Sequence, residues 1–542
     1  MSLLSILDIG KSALFASQTA LNVTSNNIAN VNTPGYSREA VVLSIANPVS
    51  TSGGMVGMGV MISGIQRSYD RFIQAQLLGQ GQSQGRSSAM DNTWGQIESV
   101  FNESQGTGLS SALLDYFNAW QDVANDPTSQ TPRTALLQKA NTLTTNARSM
   151  ERSILSTLNG ASDGISDAVT RVNEIAADIA KLNGQISLQE AGSSAQSANE
   201  LRDQRDQKLT ALAQLVDFST YEDNNGSLTV TVGMRNLVSG TRTNTLSAAA
   251  TSDGSMNLVL DGISITGNVQ KGEIGGLLAA QSDIQSTALV GLRKLVASIT
   301  QQVNQLHQAG FGLDGSTAND FFAPLQLSTS TNSTGASVTA SAITSQTALT
   351  LDEYTVTFDT VGGTYSVLNK QTGATVIPAT AYNAAGTAIT LPGISVTIAG
   401  PVTSTDTFTI SPLANAVSNF SVAMTDPRKV AAASAPALPG DNTTALQIAQ
   451  LTDAAQLNLG NTVFSDYYSN IVSTVGVMKR SASDGLTFDN NLMSALSAKR
   501  DSISGVSLDE EAANLVRYQR SYEASARMIS VADQLMQTIL RM

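Results

Sequence analysis

Apolar residues recur every seven positions at the two extremes of the chain. Leu7, Leu14, Leu21 and Ile28 do so near the start, and Leu508, Leu515, Tyr522, Ile529 and Met536 near the end. Such a repeat keeps one stripe of an α-helix facing a partner, because a supercoil of 3.5 residues per turn returns every seventh side chain to the seam. Both ends are therefore predicted to be helices with a sticky side, and these residues are the candidate assembly interface. Chain ends fray unless something ties them down, so the termini are expected to meet each other or copies of themselves. This pattern points to assembly rather than catalysis.

The first helix is predicted from residue 3 to about 31. Asn26, Asn27, Asn30 and Asn32 favour caps and turns, and Thr33-Pro34-Gly35-Tyr36 suits a type II turn. Residues 40–45 read as a strand, 52–64 as loop and hairpin, 60–65 as extended, and a new helix is expected at about Ser68. The stretch 92–216 is mostly helical in pattern, with breaks predicted at Asp126-Pro127 and Asn159-Gly160. Ile165, Val172, Ile179 and Ile186, supported by Ile175 and Leu182, form a further heptad stripe that reads as bundle core. Leu228, Val230 and Val232 alternate, as do Leu258 with Leu260 and Ile263 with Ile265, which predicts a small antiparallel β section at 217–270. Helix is expected again over 273–306. From about 325 to 425 the chain turns Ser/Thr/Ala/Gly-rich with short alternating runs such as Tyr354-Val356-Phe358 and Ile394-Val396-Ile398; helices resume at Thr444, with a boundary at 502–507.

The expected fold is multidomain, mainly α with β. A terminal coiled-coil domain is assigned to 1–50 plus 505–542, a mainly helical domain to 51–325 plus 426–504, and an inserted all-β domain to 326–425.

Composition narrows the function. At 542 residues there is room for about three cores. Charged residues are only 13% and aromatics 5%, so much of the surface must be uncharged and polar. A net charge of −13 without a Lys/Arg cluster argues against nucleic acid as a partner. There is no cysteine, hence no disulfide or thiolate chemistry. The opening segment lacks a secretory cleavage pattern, and no window is apolar enough to span a bilayer. No membrane partner is expected. A hydrolase triad or metal site would have to draw on His307, the one histidine, which reads as a structural residue near a helix C-terminus. The run Asp314 to Asp320 lacks the spacing of an EF-hand, Gly57, Gly59 and Gly64 do not make a phosphate loop, and Asp509, Glu510 and Glu511 suit the positive end of the last helix. No enzyme activity, metal or cofactor is expected.

Residues 25–38, SNNIANVNTPGYSR, resemble the N-terminal signature shared by axial proteins of the bacterial flagellum, with Asn26, Asn27, Asn30, Gly35 and Tyr36 as its marked positions. Residues 505–515, GVSLDEEAANL, with Tyr518, Gln519 and Tyr522, resemble the matching C-terminal signature, in which Asn514 also belongs. Residues 200–209, ELRDQRDQKL, and Gly310 to Gly315 followed by Phe321-Phe322 are similar to the hook-associated protein 1 family. Glu39 stands where that family often has Gln, and the β insert carries no likeness. The resemblance implies a secreted structural subunit at the hook–filament junction, passed through the flagellar type III export route without a cleaved signal, and needed for flagellum assembly and motility. It further implies partners: copies of itself in a ring-like layer, the hook protein, hook-associated protein 3, and an export chaperone on the C-terminal helix. A hook or distal-rod subunit is the alternative, disfavoured by the helical block at 92–216; a surface adhesin acting through the insert is another. About ten large stripe side chains cannot by themselves offset the ordering of both end segments. The tails are therefore expected to be loose in the isolated chain and to fold against neighbours.

Overall fold

A computed structural model describes the chain apart from residues 1–2, 52–53, 104–107, 192–196, 224–225, 252–253, 439 and 542. Among the described residues there are ten α-helices: α1 Leu3–Ala29, α2 Arg71–Phe101, α3 Leu109–Asn125, α4 Gln130–Glu190, α5 Asn199–Leu215, α6 Gly272–Ile284, α7 Val290–Ala309, α8 Thr443–Ala449, α9 Phe464–Ser504 and α10 Leu508–Leu540. The fold is mainly α, with several small antiparallel sheets and long helices at the C-terminal end.

Helix α4 is the backbone of the body. It starts just past Asp126-Pro127, capped by the Ser129 side chain, and runs for 61 residues. The break predicted at Asn159-Gly160 is absent. Both residues lie on the exposed side, while Ile154, Leu158, Ala161 and Ile165 are buried before and after them. Packing of that face outweighs the roughly 1 kcal/mol that an interior glycine costs a helix.

Two cores share this helix. Its first half packs with α3, α7, α8 and the start of α9 around an aromatic cluster that includes Tyr116, Trp120, Phe321, Phe322 and Phe420. Asn304 holds the Phe321-Phe322 loop in place: its Oδ1 accepts from both backbone N–H groups at 3.0 and 2.9 Å, and its Nδ2 donates to the Phe322 carbonyl at 2.8 Å. The second half presents Ile165, Val172, Ile179 and Ile186, all fully buried. The first three belong to a core shared with α5 and the β strands between 219 and 264.

Strands between 328 and 411 form a five-stranded and a three-stranded sheet around a third core built from Val356, Phe408, Val396 and Ile398. Gln301 on α7 ties this unit to the body, donating to the carbonyls of Gln346 and Leu349 at 2.5 and 3.0 Å. At the other end, Glu39–Ile45 pairs antiparallel with Val60–Arg67 in a ribbon that leans on α1.

Candidate assembly interface

Helices α1 and α10 lie side by side and antiparallel. Gly10 faces Ile529 so closely that a Cβ there would come within 2.9 Å of Ile529 Cγ1. Farther along, the Ser17 hydroxyl donates to that of Ser521 at 3.2 Å, and Asn27 Nδ2 donates to Glu511 at 3.2 Å. The buried side of α1 is Gly10, Ala16, Ser17, Ala20, Val23, Thr24 and Asn27; that of α10 is Glu511, Ser525 and Ala532. The seam within one chain is therefore made mostly of small and polar residues.

The heptad residues flank it. Leu7, Leu14, Leu21 and Ile28 on α1 are half-buried, as are Leu515, Tyr522, Ile529 and Met536 on α10, with Asn514 and Tyr518 beside them. Leu508 is 52% exposed, and Gln519 is exposed too. The tails expected to be loose are instead helical and paired, because small side chains let the helices close together and a polar network secures one end. Phe15, Met528, Val531, Leu535 and Ile539 remain exposed. The last four recur at three- and four-residue steps, a helical-face signal that the heptad reading passes over.

The polar network explains the N-terminal signature. Asn27 is buried, and its Oδ1 accepts from the Tyr36 hydroxyl at 2.8 Å and the Glu39 N–H at 2.9 Å, while its Nδ2 donates to the Glu39 carbonyl at 2.8 Å as well as to Glu511. Asn30 closes the helix end by donating to the Asn26 backbone and side-chain oxygens. Gly35 has φ +78°, which the turn requires, and a Cβ there would meet Gln207, whose Nε2 donates to the Pro34 carbonyl at 2.6 Å. Arg38 spans to the other terminus, with Nε on Glu511 at 2.9 Å and Nη1 on Glu510 at 2.8 Å. The acidic start of α10 thus binds an arginine besides complementing the helix dipole. Burial, with nearby carboxylates, holds the Tyr36 phenol well above its usual range, so it stays a donor. Burial also raises the Glu39 carboxyl.

Helix α5 grips this base. Asp203 accepts from the Ser37 N–H at 2.7 Å, the Ser37 hydroxyl at 2.9 Å and Arg67 Nη1 at 2.6 Å; Asp206 accepts from the same Arg67 nitrogen at 2.7 Å. The arginines of the same LRDQRDQ run face the body. Arg202 forms a two-point pair with Glu190 at 2.8 and 2.9 Å and reaches Glu222 at 2.6 Å, and Arg205 binds Glu222, Asn183 and the Gly226 carbonyl. Acids clasp the terminal unit and bases clasp the β section. Burial raises the Asp206 carboxyl against the pull of Arg67. Burial disfavours the Arg67 charge, but Asp206 and Asp203 outweigh it and the guanidinium is held more firmly protonated.

His307 is a core residue. Its Nδ1 meets the Asn319 carbonyl at 2.7 Å and its Nε2 accepts the Ala431 N–H at 2.9 Å, which requires the neutral ring; burial pushes its pKa down to about 4. Asp314 is occupied by the Ser316 N–H and hydroxyl in a local turn. Among the described residues no cluster of His, Cys, Asp and Glu could hold a metal, and no helix is long and apolar enough to cross a membrane.

Comparison with known proteins follows the same geography. The family model for the flagellar hook-associated protein FlgK helical domain matches residues 94–322, which contain α5. The model for flagella basal body rod proteins matches 7–36, and that for the flagellar basal body rod FlgEFG protein C-terminal matches 499–542, the two arms of the α1–α10 pair. Flagellar hook-associated protein 1 of Escherichia coli is 29% identical over 551 residues, covering 99% of both chains. Its namesake in Salmonella typhimurium is 29% identical with the same coverage, and that of Bacillus subtilis is 24% identical over 98% of this chain and 97% of its own. The solved flagellar hook junction protein FlgK from Burkholderia pseudomallei shares the fold with a TM-score of 0.69, covering 79% of this chain and all of its own at 19% identity. Aligned end to end with hook-associated protein 1 of three genera, and matched by flagellar family models at both termini and in the body, the chain is similar along its whole length to flagellar hook-associated protein 1.

Proposed function

We propose that this chain is a structural subunit of the bacterial flagellum that builds the junction between hook and filament. The observation that carries this is the α1–α10 pair: two termini brought together in one rod, with apolar side chains left on its outer faces. Copies side by side would cover those faces and form a ring-like layer. The terminal unit, 1–50 with 505–542, supplies the joint, the helical body supports it, and the insert at 326–425 projects from α7. Hook protein below and hook-associated protein 3 above are the neighbours this role requires.

Before assembly the exposed side of α10 is an aggregation hazard, which suits a chaperone bound there until export through the flagellum's own channel to the cell exterior. The role is structural rather than catalytic, in keeping with an all-structural use of His307. Gold-labelled chain expressed in a strain lacking its own copy should be seen at the distal end of hooks, with filaments restored. Label spread along hook or filament, or filament growth restored by a variant without 1–35 and 506–542, overturns the reading.

A further inference from the structure

The β ribbon beside α1 carries no charged residue from Ala40 to Gln66, in a chain where charged residues make up 13%. It presses one region onto α1, where Gly59 sits against Ile9 and Ser12. Beyond the irregularity at Val42/Leu43 it leaves Leu43, Ile45 and Met61 exposed, Ile45 at 82%, and the separate short strand pair of Val49–Thr51 with Gly54–Val56 adds exposed Val49 and Met55. Leu43 and Ile45 share one face of their strand. Edge strands of soluble proteins normally carry charges that prevent pairing with other chains, and this two-stranded ribbon has none along its interior.

A second bare surface belongs to the same terminal unit. Met528, Val531, Leu535 and Ile539 line the exposed side of α10, and from Met528 to Leu540 the one charge is Asp533, which lies off that stripe. The two surfaces match in character: each leaves large apolar side chains exposed with no charge among them, and the stripe from Met528 to Ile539 is about 16 Å long at 1.5 Å per residue. Neither would bury an unpaired charge of the other.

We propose that the ribbon of one copy docks on the exposed stripe of α10 of the next copy. Because the two patches differ, the contact is head-to-tail, the kind that closes a ring or continues a helix instead of stopping at a dimer. Its position is continuous with the α1–α10 pair, since the ribbon rests on α1. The inference deepens the junction reading and rests on it, by naming which surfaces meet.

The absence of native cysteine makes the test clean. Single variants Ile45→Cys and Leu535→Cys, assembled separately and as a mixture, are treated with a short bismaleimide. The mixture should yield a crosslinked dimer that neither variant gives alone, and the double variant should yield a ladder of higher species. A dimer from Ile45→Cys alone would indicate ribbon-on-ribbon pairing and overturn the proposal, as would assembly on hooks without any crosslink in the mixture. Ile45→Lys or Leu535→Glu alone should abolish the assembled species, and combining the two should restore it; failure of that rescue in a folded protein also counts against the contact. Absence of the chain from hook tips altogether would fault the junction reading instead.

Discussion

Asn27 of α1 and Glu511 of α10, 484 positions apart, hydrogen-bond at 3.2 Å at the base of the terminal rod. Every polar atom of the Asn27 amide has a partner, and those partners come from both ends of the chain. Asn27→Ala would leave the Tyr36 hydroxyl, the Glu39 N–H and Glu511 without it, at about 1–3 kcal/mol for each buried group stranded. Hydrogen exchange in α1 and α10 should accelerate strongly while the body stays protected. Unchanged protection of both helices would show that the network does not hold the rod.

The Arg67 clasp gives a second expectation. Asp203→Ala removes one of the two carboxylates on the buried Arg67, leaving Asp206 in place, and strands the Ser37 N–H, so the cost should fall below the roughly 3 kcal/mol of breaking a buried pair outright. Cleavage by trypsin in the 38–67 segment should become faster than in the parent. Gln207→Ala, which removes a single bond to an exposed carbonyl, should have a much smaller effect.

Gly35 is held at φ +78°, and a Cβ there would lie 2.5 Å from Gln207 Nε2. Gly35→Ala should therefore weaken the joint by about 1–3 kcal/mol from backbone strain. Adding Gln207→Ala should recover the steric part alone, so the double variant stays weaker than Gln207→Ala by the same exchange measurement.

Acid should loosen the helical body through His307. Its folded pKa of about 4 lies below the ordinary 6.5, so the unfolded chain takes up the proton first. The contribution is complete above pH 6.5, shrinks as pH falls, and is lost by about pH 4, totalling about 3 kcal/mol. Both tryptophans, Trp94 and Trp120, are buried in the same core and report its unfolding. Urea midpoints by tryptophan fluorescence should drop more between pH 7 and pH 5 in the parent than in His307→Gln.

The heptads at both ends were readable because large apolar side chains advertise periodicity, and on α10 they mark the flanks of the face that packs. On α1 the leucines sit beside the seam, since Gly10, Ser17 and Ala20 let the partner come closer than leucine would. A pattern of hydrophobic size cannot register such a line. The LRDQRDQ run and the turn at Pro34 to Ser37 were each recognisable, but nothing in spacing tells that residues 166 apart, Ser37 and Asp203, touch. The alternation of arginine and aspartate at three-residue intervals does place the two signs on different sides of α5, and that hint was available. The continuity of α4 was hidden for the opposite reason: Asn159-Gly160 is a local signal for a break, and only distant packing overrules it.

That unbroken α4 has a mechanical meaning. Its 61 residues make a strut of about 90 Å, threaded through two cores and stiffened by both. The terminal rod is fastened to this body by the hydrogen bonds and ion pairs that Asp203 and Asp206 make with Ser37 and Arg67, and by the bond from Gln207 to the Pro34 carbonyl. Under torque a beam with such a fastening yields at the fastening, so bending between the rotating segments it connects would be absorbed at the polar collar while the body turns as one piece.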